Sequence, residues 1–365
     1  MNAAEGGMLS RPASKASHLA EPAGRESMAH MPRKVLVTGG GGFLGSAIVR
    51  RLIARGDQVR SFSRGDYPEL RKLGVDVRQG DLAEIETIAD AADGCDVIVH
   101  TAAKAGIWGP YREFKRTNVV GTQNVLMVCH LCKIRRLVYT SSPSVVFTGF
   151  DMENINEAAP YPSNFHAHYP FTKAVAEQLV LNADGPNLAT IALRPHLIWG
   201  PGDPHLLPRL IARAKAGKLR RIGKRENLVD ATYIDNAADA HILAADKLQV
   251  GSPIAGRAYF IAQGEPLPLW DLINRLLEAC GAPPVTRRMS PLAAYLAGMM
   301  CEWAYALFRL RGEPPMTRFL ARQLCTAHWF NLEAARRFLG YEPKVSVEEG
   351  LRRLAEYTKS GASAN

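Results

Sequence analysis

At 365 residues, 47% hydrophobic and 22% charged, the chain is long and apolar enough to bury one large core or two smaller ones, as an ordinary globular protein does. Its net charge of +10 comes from scattered basic residues, which points to a polyanionic small ligand and away from a nucleic-acid surface. Six cysteines, with Cys129-x-x-Cys132 lacking a second pair, exclude a zinc pattern and a disulfide framework and suit a reducing cytoplasm.

Residues 1–30 are rich in Ala, Gly, Ser, Glu and Pro and are expected to form a disordered tail, not a signal peptide, with Met31 an alternative start. Val35-Leu36-Val37 reads as the first strand, and a helical pattern runs from Ala47 to Arg55. Between them lies Thr38-Gly39-Gly40-Gly41-Gly42-Phe43-Leu44-Gly45. The spacing of Gly39, Gly42 and Gly45 between a strand and a helix suits a dinucleotide. The first glycine allows the sharp turn. The second lets backbone N–H groups approach a pyrophosphate, and the third lets the helix pack on the strand. The helix N-terminus adds a partial positive charge. Gly39, Gly42, Phe43, Leu44 and Gly45 are therefore the first cofactor-binding candidates.

The second strand, Gln58 to Ser63, ends in Ser63-Arg64. An acid here would hold the ribose hydroxyls of NAD, whereas an arginine accommodates the 2′-phosphate of NADP. Arg64 favours NADP, and Asp66 comes too late to compete. A third strand, Val75 to Gln79, leads into Gly80-Asp81-Leu82. Asp81 has two readings, an acceptor for the adenine amino group and an N-cap for the helix Glu84 to Ala91, and both can hold. The fourth strand, Val97 to His100, continues into Thr101-Ala102-Ala103, small residues that leave room for ribose and phosphate. His100 reads as structural.

Trp108 and Tyr111 lie in a loop that either covers a substrate or packs. Asn118 opens a helix through Cys132 against its propensity, which invites a functional reading. The fifth strand, Leu137 to Ser141, delivers Ser141-Ser142-Pro143. Tyr169-Pro170-Phe171-Thr172-Lys173 begins a helix to Asn182, with Tyr169 and Lys173 on one face. The sixth strand, Leu188 to Leu193, leads into Arg194-Pro195-His196-Leu197-Ile198-Trp199-Gly200-Pro201.

A lysine ammonium beside a phenol favours the phenolate and lowers its pKa, so Tyr169 is a candidate proton donor for ketone reduction. Lys173 also suits the nicotinamide ribose. Ser142 suits the substrate oxygen as charge develops there, and Asn118 suits a relay through a water or a backbone group. Pro291 to Phe308 is apolar, with Glu302 its single charge. It has the length of a spanning helix, but Glu302 argues against crossing. Two roles stay open for it: core packing in a substrate domain, and contact with a membrane or partner surface.

Taken in order, these motifs resemble the extended short-chain dehydrogenases/reductases over roughly residues 33–262. They are Thr38-Gly39-x-x-Gly42-x-x-Gly45, Gly80-Asp81-Leu82, His100-x-Ala102-Ala103, Asn118-Val119-x-Gly121-Thr122, Tyr139-Thr140-Ser141-Ser142, Tyr169-x-x-x-Lys173 and Arg194-Pro195 with Gly200-Pro201. Within that superfamily the chain resembles the 3β-hydroxysteroid dehydrogenase-like branch, and in it the bacterial reductases of long-chain olefin biosynthesis. The latter similarity includes Ala102-Ala103-Lys104-Ala105-Gly106-x-Trp108-Gly109 and Leu310-Arg311-Gly312-Glu313-Pro314-Pro315.

The resemblance implies a doubly wound, Rossmann-type, mostly parallel seven-stranded sheet. It places an NADP-binding domain at 31–200 and about 229–262, a mostly helical substrate domain at about 201–228 and 263–357, and a tail at 358–365. It implies NADPH-dependent reduction of a 2-alkyl-3-keto acid, a lipid-like substrate. A cytoplasmic location, a homodimer and membrane or pathway-enzyme contact through the apolar 291–308 stretch are further expectations. By family pattern the catalytic set is Ser142, Tyr169, Lys173 and Asn118, with Ser141 still open beside Ser142. Cofactor contacts add Ala102, Ala103, Pro195 and Ile198 to Ser63, Arg64, Asp81 and Leu82. Trp108, Ser142, His196 and Trp199 are the substrate candidates. His196, Arg209 or a basic residue between Lys218 and Arg225 would meet a carboxylate. The rival readings are an NAD-linked hydroxysteroid dehydrogenase, a sugar-nucleotide epimerase and a non-catalytic NADP sensor. The Ser-Tyr-Lys set argues against the last.

Overall fold

Short apolar runs alternate with helical segments along the first two-thirds of the chain, and the computed structural model, which describes residues 31–361, turns these runs into strands. The tail expected at 1–30 lies outside the described residues. The strands of the main sheet are β1 (Lys34–Thr38), β2 (Gln58–Ser63), β3 (Asp76–Gln79), β4 (Val97–His100), β5 (Arg136–Thr140), β6 (Ala189–Pro195) and β7 (Arg257–Ile261). Their order is β7-β6-β5-β4-β1-β2-β3, and every neighbouring pair is parallel.

A parallel sheet is covered on both faces, so its strands read as continuous apolar runs. β4 and β6 are buried at every residue. Alternate residues of β1 feed two cores: Val35 and Val37 pack with Ile48 and Ala244 on one face, and Leu36 packs with Ile88, Val125 and Val180 on the other. The strand order reverses between β1 and β4, which opens a crevice at the carboxyl ends of the strands. The first helix, Phe43–Ala54, stops where Gly56 takes a φ of +90°.

Smaller sheets were not foreseen. Leu267–Pro268, Leu228–Val229, His328–Phe330 and Met152–Ile155 form one of four strands. Ile198–Trp199 pairs with Thr232–Tyr233, and Arg221–Ile222 pairs with Arg288–Met289. From Pro32 onward the described chain packs as one compact unit. Its last helix, Val347–Lys359, is capped by Ser346 and overruns the expected start of a tail at 358.

The helix Pro291–Leu307 corrects the core-packing expectation. Only Ala294 and Gly298 on it are buried, while Leu292, Met300 and Trp303 are each about two-thirds exposed. Its all-round apolarity gave no sign of which side would face the protein. Gly298 lies so close to the chain at Thr317 that a Cβ would stand 2.6 Å from the Thr317 carbonyl carbon. Among the described residues no helix is long and apolar enough to cross a membrane.

A buried ion pair ties β6 to the helix His168–Asn182. The Arg194 guanidinium donates to both Glu177 oxygens at 2.9 and 2.6 Å, and the Tyr161 hydroxyl donates to the same carboxylate at 2.6 Å. Removing one partner of such a pair strands a charge in the interior. Glu177→Ala is therefore expected to cost about 3–5 kcal/mol in urea unfolding. Pairing it with Arg194→Met should recover part of that loss, and no difference between the single and double variants would refute the argument.

Candidate active site

The crevice begins at the glycine turn. Gly39 takes a φ of +72° and presses on the start of the loop after β4, where a Cβ would meet the Ala102 Cα at 2.8 Å. A Cβ on Gly45 would stand 2.0 Å from the Gly39 carbonyl oxygen. Gly42 is the N-cap of the helix Phe43–Ala54 and offers no side-chain cap. The first N–H groups of the helix are thus left for a ligand, as a phosphate site requires.

The cleft that opens here holds about 540 Å³. Its walls contain the whole set of expected cofactor contacts: Gly39, Gly42, Phe43, Leu44, Gly45, Ser63, Arg64, Asp81, Leu82, Ala102, Ala103, Tyr169, Lys173, Pro195 and Ile198. Ser141 and Ser142 line it as well. The donor set fits a dinucleotide: uncapped helix N–H groups, a turn with no room for side chains, and an arginine at the far end. Arg64 is exposed and has no ion-pair partner among the described residues, whereas the Asp66 carboxylate is occupied by Arg71 at 2.7 Å. Asp81 accepts from the Ala83 N–H at 2.9 Å and pairs with Arg116 at 3.1 Å. It therefore closes a turn ahead of the helix Ile85–Ala92 and is not its N-cap. Tyr67 was missed: its ring lies against Gly41, within 2.2 Å of where a Cβ would stand. An aromatic three residues beyond Arg64 was the available signal.

At the other end of the cleft stand Ser142, Tyr169 and Lys173. Ser142 follows β5 and accepts from the Ser144 N–H at 3.2 Å. Tyr169 sits in the first turn of the helix His168–Asn182 and lines the cleft together with Ser142. Burial pushes the phenol above its ordinary pKa, and the Ser142 hydroxyl draws it part of the way back. That reverses the expected direction. The reason is the lysine: Lys173 Nζ donates to the Thr140 carbonyl at 2.6 Å and sits 4.1 Å from the centre of the Tyr139 ring. Burial pushes the Lys173 ammonium down to about 7, against the pull of Glu177. Both serines line the cleft: Ser142 Oγ bonds with Ser144, whereas the buried Ser141 Oγ has no hydrogen-bond partner.

Asn118 is buried on a π-helical turn, Lys115–Val120, outside the cleft. Its amide accepts from the Lys104 N–H at 2.7 Å and donates to the Lys104 carbonyl at 3.1 Å and to Thr172 Oγ1 at 3.0 Å. It pins the loop after β4 to the tyrosine-bearing helix, a positioning role. His100 is held between Thr38 at 2.6 Å and Thr122 at 3.1 Å, and burial pushes it down to about 3.

Three substrate candidates are displaced from the cleft. Trp199 is 1% exposed and packs edge-on against Tyr233 in the core. His196 hydrogen-bonds through Nδ1 to the Asp230 carbonyl at 2.7 Å, and burial pushes it down to about 4. A neutral, backbone-tied imidazole cannot meet a carboxylate as a cation. Trp108 lines a neighbouring cavity of about 730 Å³ together with Phe114, His168, Phe171, Tyr305 and Arg309. Two walls are shared: the loop after β4 gives Ala105 to the cleft and Trp108 to the cavity, and the tyrosine-bearing helix gives Tyr169 to one and Phe171 to the other. Arg209 is engaged by Glu313 at 2.5 Å, and Arg225 by Asp151 at 2.5 Å and Glu153 at 2.9 Å.

Fold and site together define a nicotinamide-dinucleotide oxidoreductase of the extended short-chain type. Residues 36–291 match the 3-beta hydroxysteroid dehydrogenase/isomerase family. The chain is 54% identical over 323 residues to a 2-alkyl-3-oxoalkanoate reductase of Stenotrophomonas maltophilia (strain K279a), covering 88% of this chain and 98% of that one. It is 47% identical over 337 residues to a protein of the same name from Shewanella oneidensis (strain MR-1), covering 90% and 87%. The solved structure of MoeE5 in complex with UDP-glucose and NAD shares the fold with a TM-score of 0.70 at 24% identity, covering 90% of this chain and 100% of that one. The chain belongs to the 3-beta hydroxysteroid dehydrogenase/isomerase family.

The Lys173 shift has a measurable consequence. With the folded value near 7 and an unfolded lysine near about 10.4, the unfolded chain binds the extra proton between those limits. Stability of the ligand-free protein is therefore expected to rise with pH across that window as far as this group is concerned. Urea unfolding of wild type and Lys173→Met from pH 6 to 10 reads it: the wild-type curve should climb relative to the variant, and parallel curves would exclude a depressed lysine.

Proposed function

We propose that this chain reduces a 2-alkyl-3-oxoalkanoic acid to the 2-alkyl-3-hydroxyalkanoic acid with NADPH. The observation that carries the reading is the placement of Ser142, Tyr169 and Lys173 together in the wall of a glycine-lined cleft whose other end holds an unpaired arginine. The bound dihydronicotinamide supplies a hydride to the C3 carbonyl carbon. Tyr169, kept as the neutral phenol by burial, gives its proton to the carbonyl oxygen. Ser142 donates a hydrogen bond to the same oxygen as negative charge grows there. Lys173, close to neutrality in its proton balance, returns a proton towards the tyrosine and holds the ribose. Asn118 keeps the loop and the helix in register. The alkyl chains fit the aromatic cavity beside Tyr169. Arg309, in its wall and without an ion-pair partner among the described residues, is the cation we assign to the carboxylate.

Cofactor choice rests on Arg64. Arg64→Ala should cut the preference for NADPH over NADH by roughly ten- to a hundredfold, the cost of one charge-assisted contact. An unchanged ratio of kcat/KM values would sink the assignment.

Turnover with purified protein tests the reaction. NADPH-linked reduction of a 2-alkyl-3-keto acid should outrun both reduction of its methyl ester and NAD-linked oxidation of a 3β-hydroxysterol. Tyr169→Phe should lose about 10²–10⁴-fold in kcat while still binding NADPH. Faster sterol oxidation, or full activity in the phenylalanine variant, would overturn the reading.

A further inference from the structure

The helix Pro291–Leu307 carries its large apolar residues on the side turned away from the protein. At about 100° per residue, Leu292, Leu296, Met299, Met300, Trp303 and Leu307 fall within one stripe roughly 100° wide. Each is between 42% and 68% exposed. Phe308, beyond the helix end, is 67% exposed and lengthens the patch. The opposite side bears small residues, with Ala294 and Gly298 packed inward. The helix's single charge is drawn off the stripe: Glu302 accepts from the Arg318 N–H at 2.7 Å and from its Nε at 2.6 Å. A contiguous apolar surface of this kind marks an interface.

Charge selects what covers it. Arg287 and Arg288 stand just before the helix and Arg311 just after it, all exposed and without ion pairs among the described residues. Pairing the stripe with its copy about a two-fold axis sets one arginine end against another, whichever way the helices run. Anionic lipid headgroups would meet both ends with opposite charge. We propose that this face docks on an anionic lipid bilayer, the helix lying in the interface with its stripe in the acyl boundary. Tyr305, Ala306 and Leu310 of the same segment stand in the wall of the 730 Å³ cavity. A two-chain amphiphile can pass along them from the bilayer towards Tyr169. This route, unlike the docking, rests on the keto-acid reading.

Flotation of the full chain with vesicles tests the proposal. Binding to phosphatidylcholine containing about one third phosphatidylglycerol should exceed binding to phosphatidylcholine alone by at least about tenfold and weaken with salt. The double variant Met300→Glu/Trp303→Glu should lose at least about tenfold of that binding. It should keep the wild-type rate on a short, water-soluble 2-alkyl-3-keto acid and lose rate on a long-chain one held in the vesicles. No binding to anionic vesicles, equal binding by the variant, or a wild-type dimer that the variant dissociates without any vesicle binding would each overturn docking. Vesicle binding that fails in the variant supports docking even if no keto acid is turned over, in which case only the substrate reading falls.

Discussion

The site is built outward from one contact in which there is no room for a side chain. Between Gly45 and the Gly39 carbonyl the separation forbids a Cβ, so the helix Phe43–Ala54 sits directly on the turn that precedes it. That contact sets where the helix points, and its uncapped N–H groups point into the crevice. Gly39 in turn rests on the start of the loop after β4. The phosphate end of the cleft and the beginning of the substrate loop are therefore fixed by the same few backbone atoms. Asn118 extends the chain of constraint by joining that loop to the helix that carries Tyr169 and Lys173.

Burial, and not charge pairing, sets the electrostatics at the catalytic end. Glu177 lies four residues after Lys173 on the same helix, the spacing at which side chains meet. Its oxygens are already claimed by Arg194 and Tyr161. Lys173 is left with a carbonyl and the face of an aromatic ring, which compensate an ammonium less well than a carboxylate does. The lysine is depressed and the tyrosine raised for the same reason. In the ligand-free protein both groups lean towards neutrality, which suits a phenol that must hold its proton until a ketone oxygen needs it.

The parts legible in the sequence were those whose geometry is local. The glycine spacing, the tyrosine and lysine one turn apart, and the apolar strand runs each depend on neighbours in the chain. The cleft accordingly gathers every expected cofactor contact. What failed depended on distant partners. Trp199 and His196 follow β6 closely and looked available, but whether such residues face a ligand is decided by Tyr233 and Asp230, more than thirty residues away. The direction of the Tyr169 shift depended on where Lys173 Nζ ends, which helix spacing cannot tell. Strands of two residues carry no periodicity at all. An evenly apolar helix, likewise, does not say which of its faces is outward.

The strand order also bears on how the chain is made. β6 is mostly apolar and buried along its whole length, and its outer neighbour β7 comes from the far end of the same half of the fold. During synthesis β6 leaves the ribosome roughly sixty residues before β7, which at ordinary elongation rates is about 3–12 s. For that interval a mostly apolar strand has an open hydrogen-bonding edge. The intervening segment holds the helix Ile234–Lys247, which later covers the sheet, so face and edge are closed almost together. The nascent chain is thus most prone to mispairing with its neighbours on a polysome in this window, and its need for chaperone cover should be concentrated there.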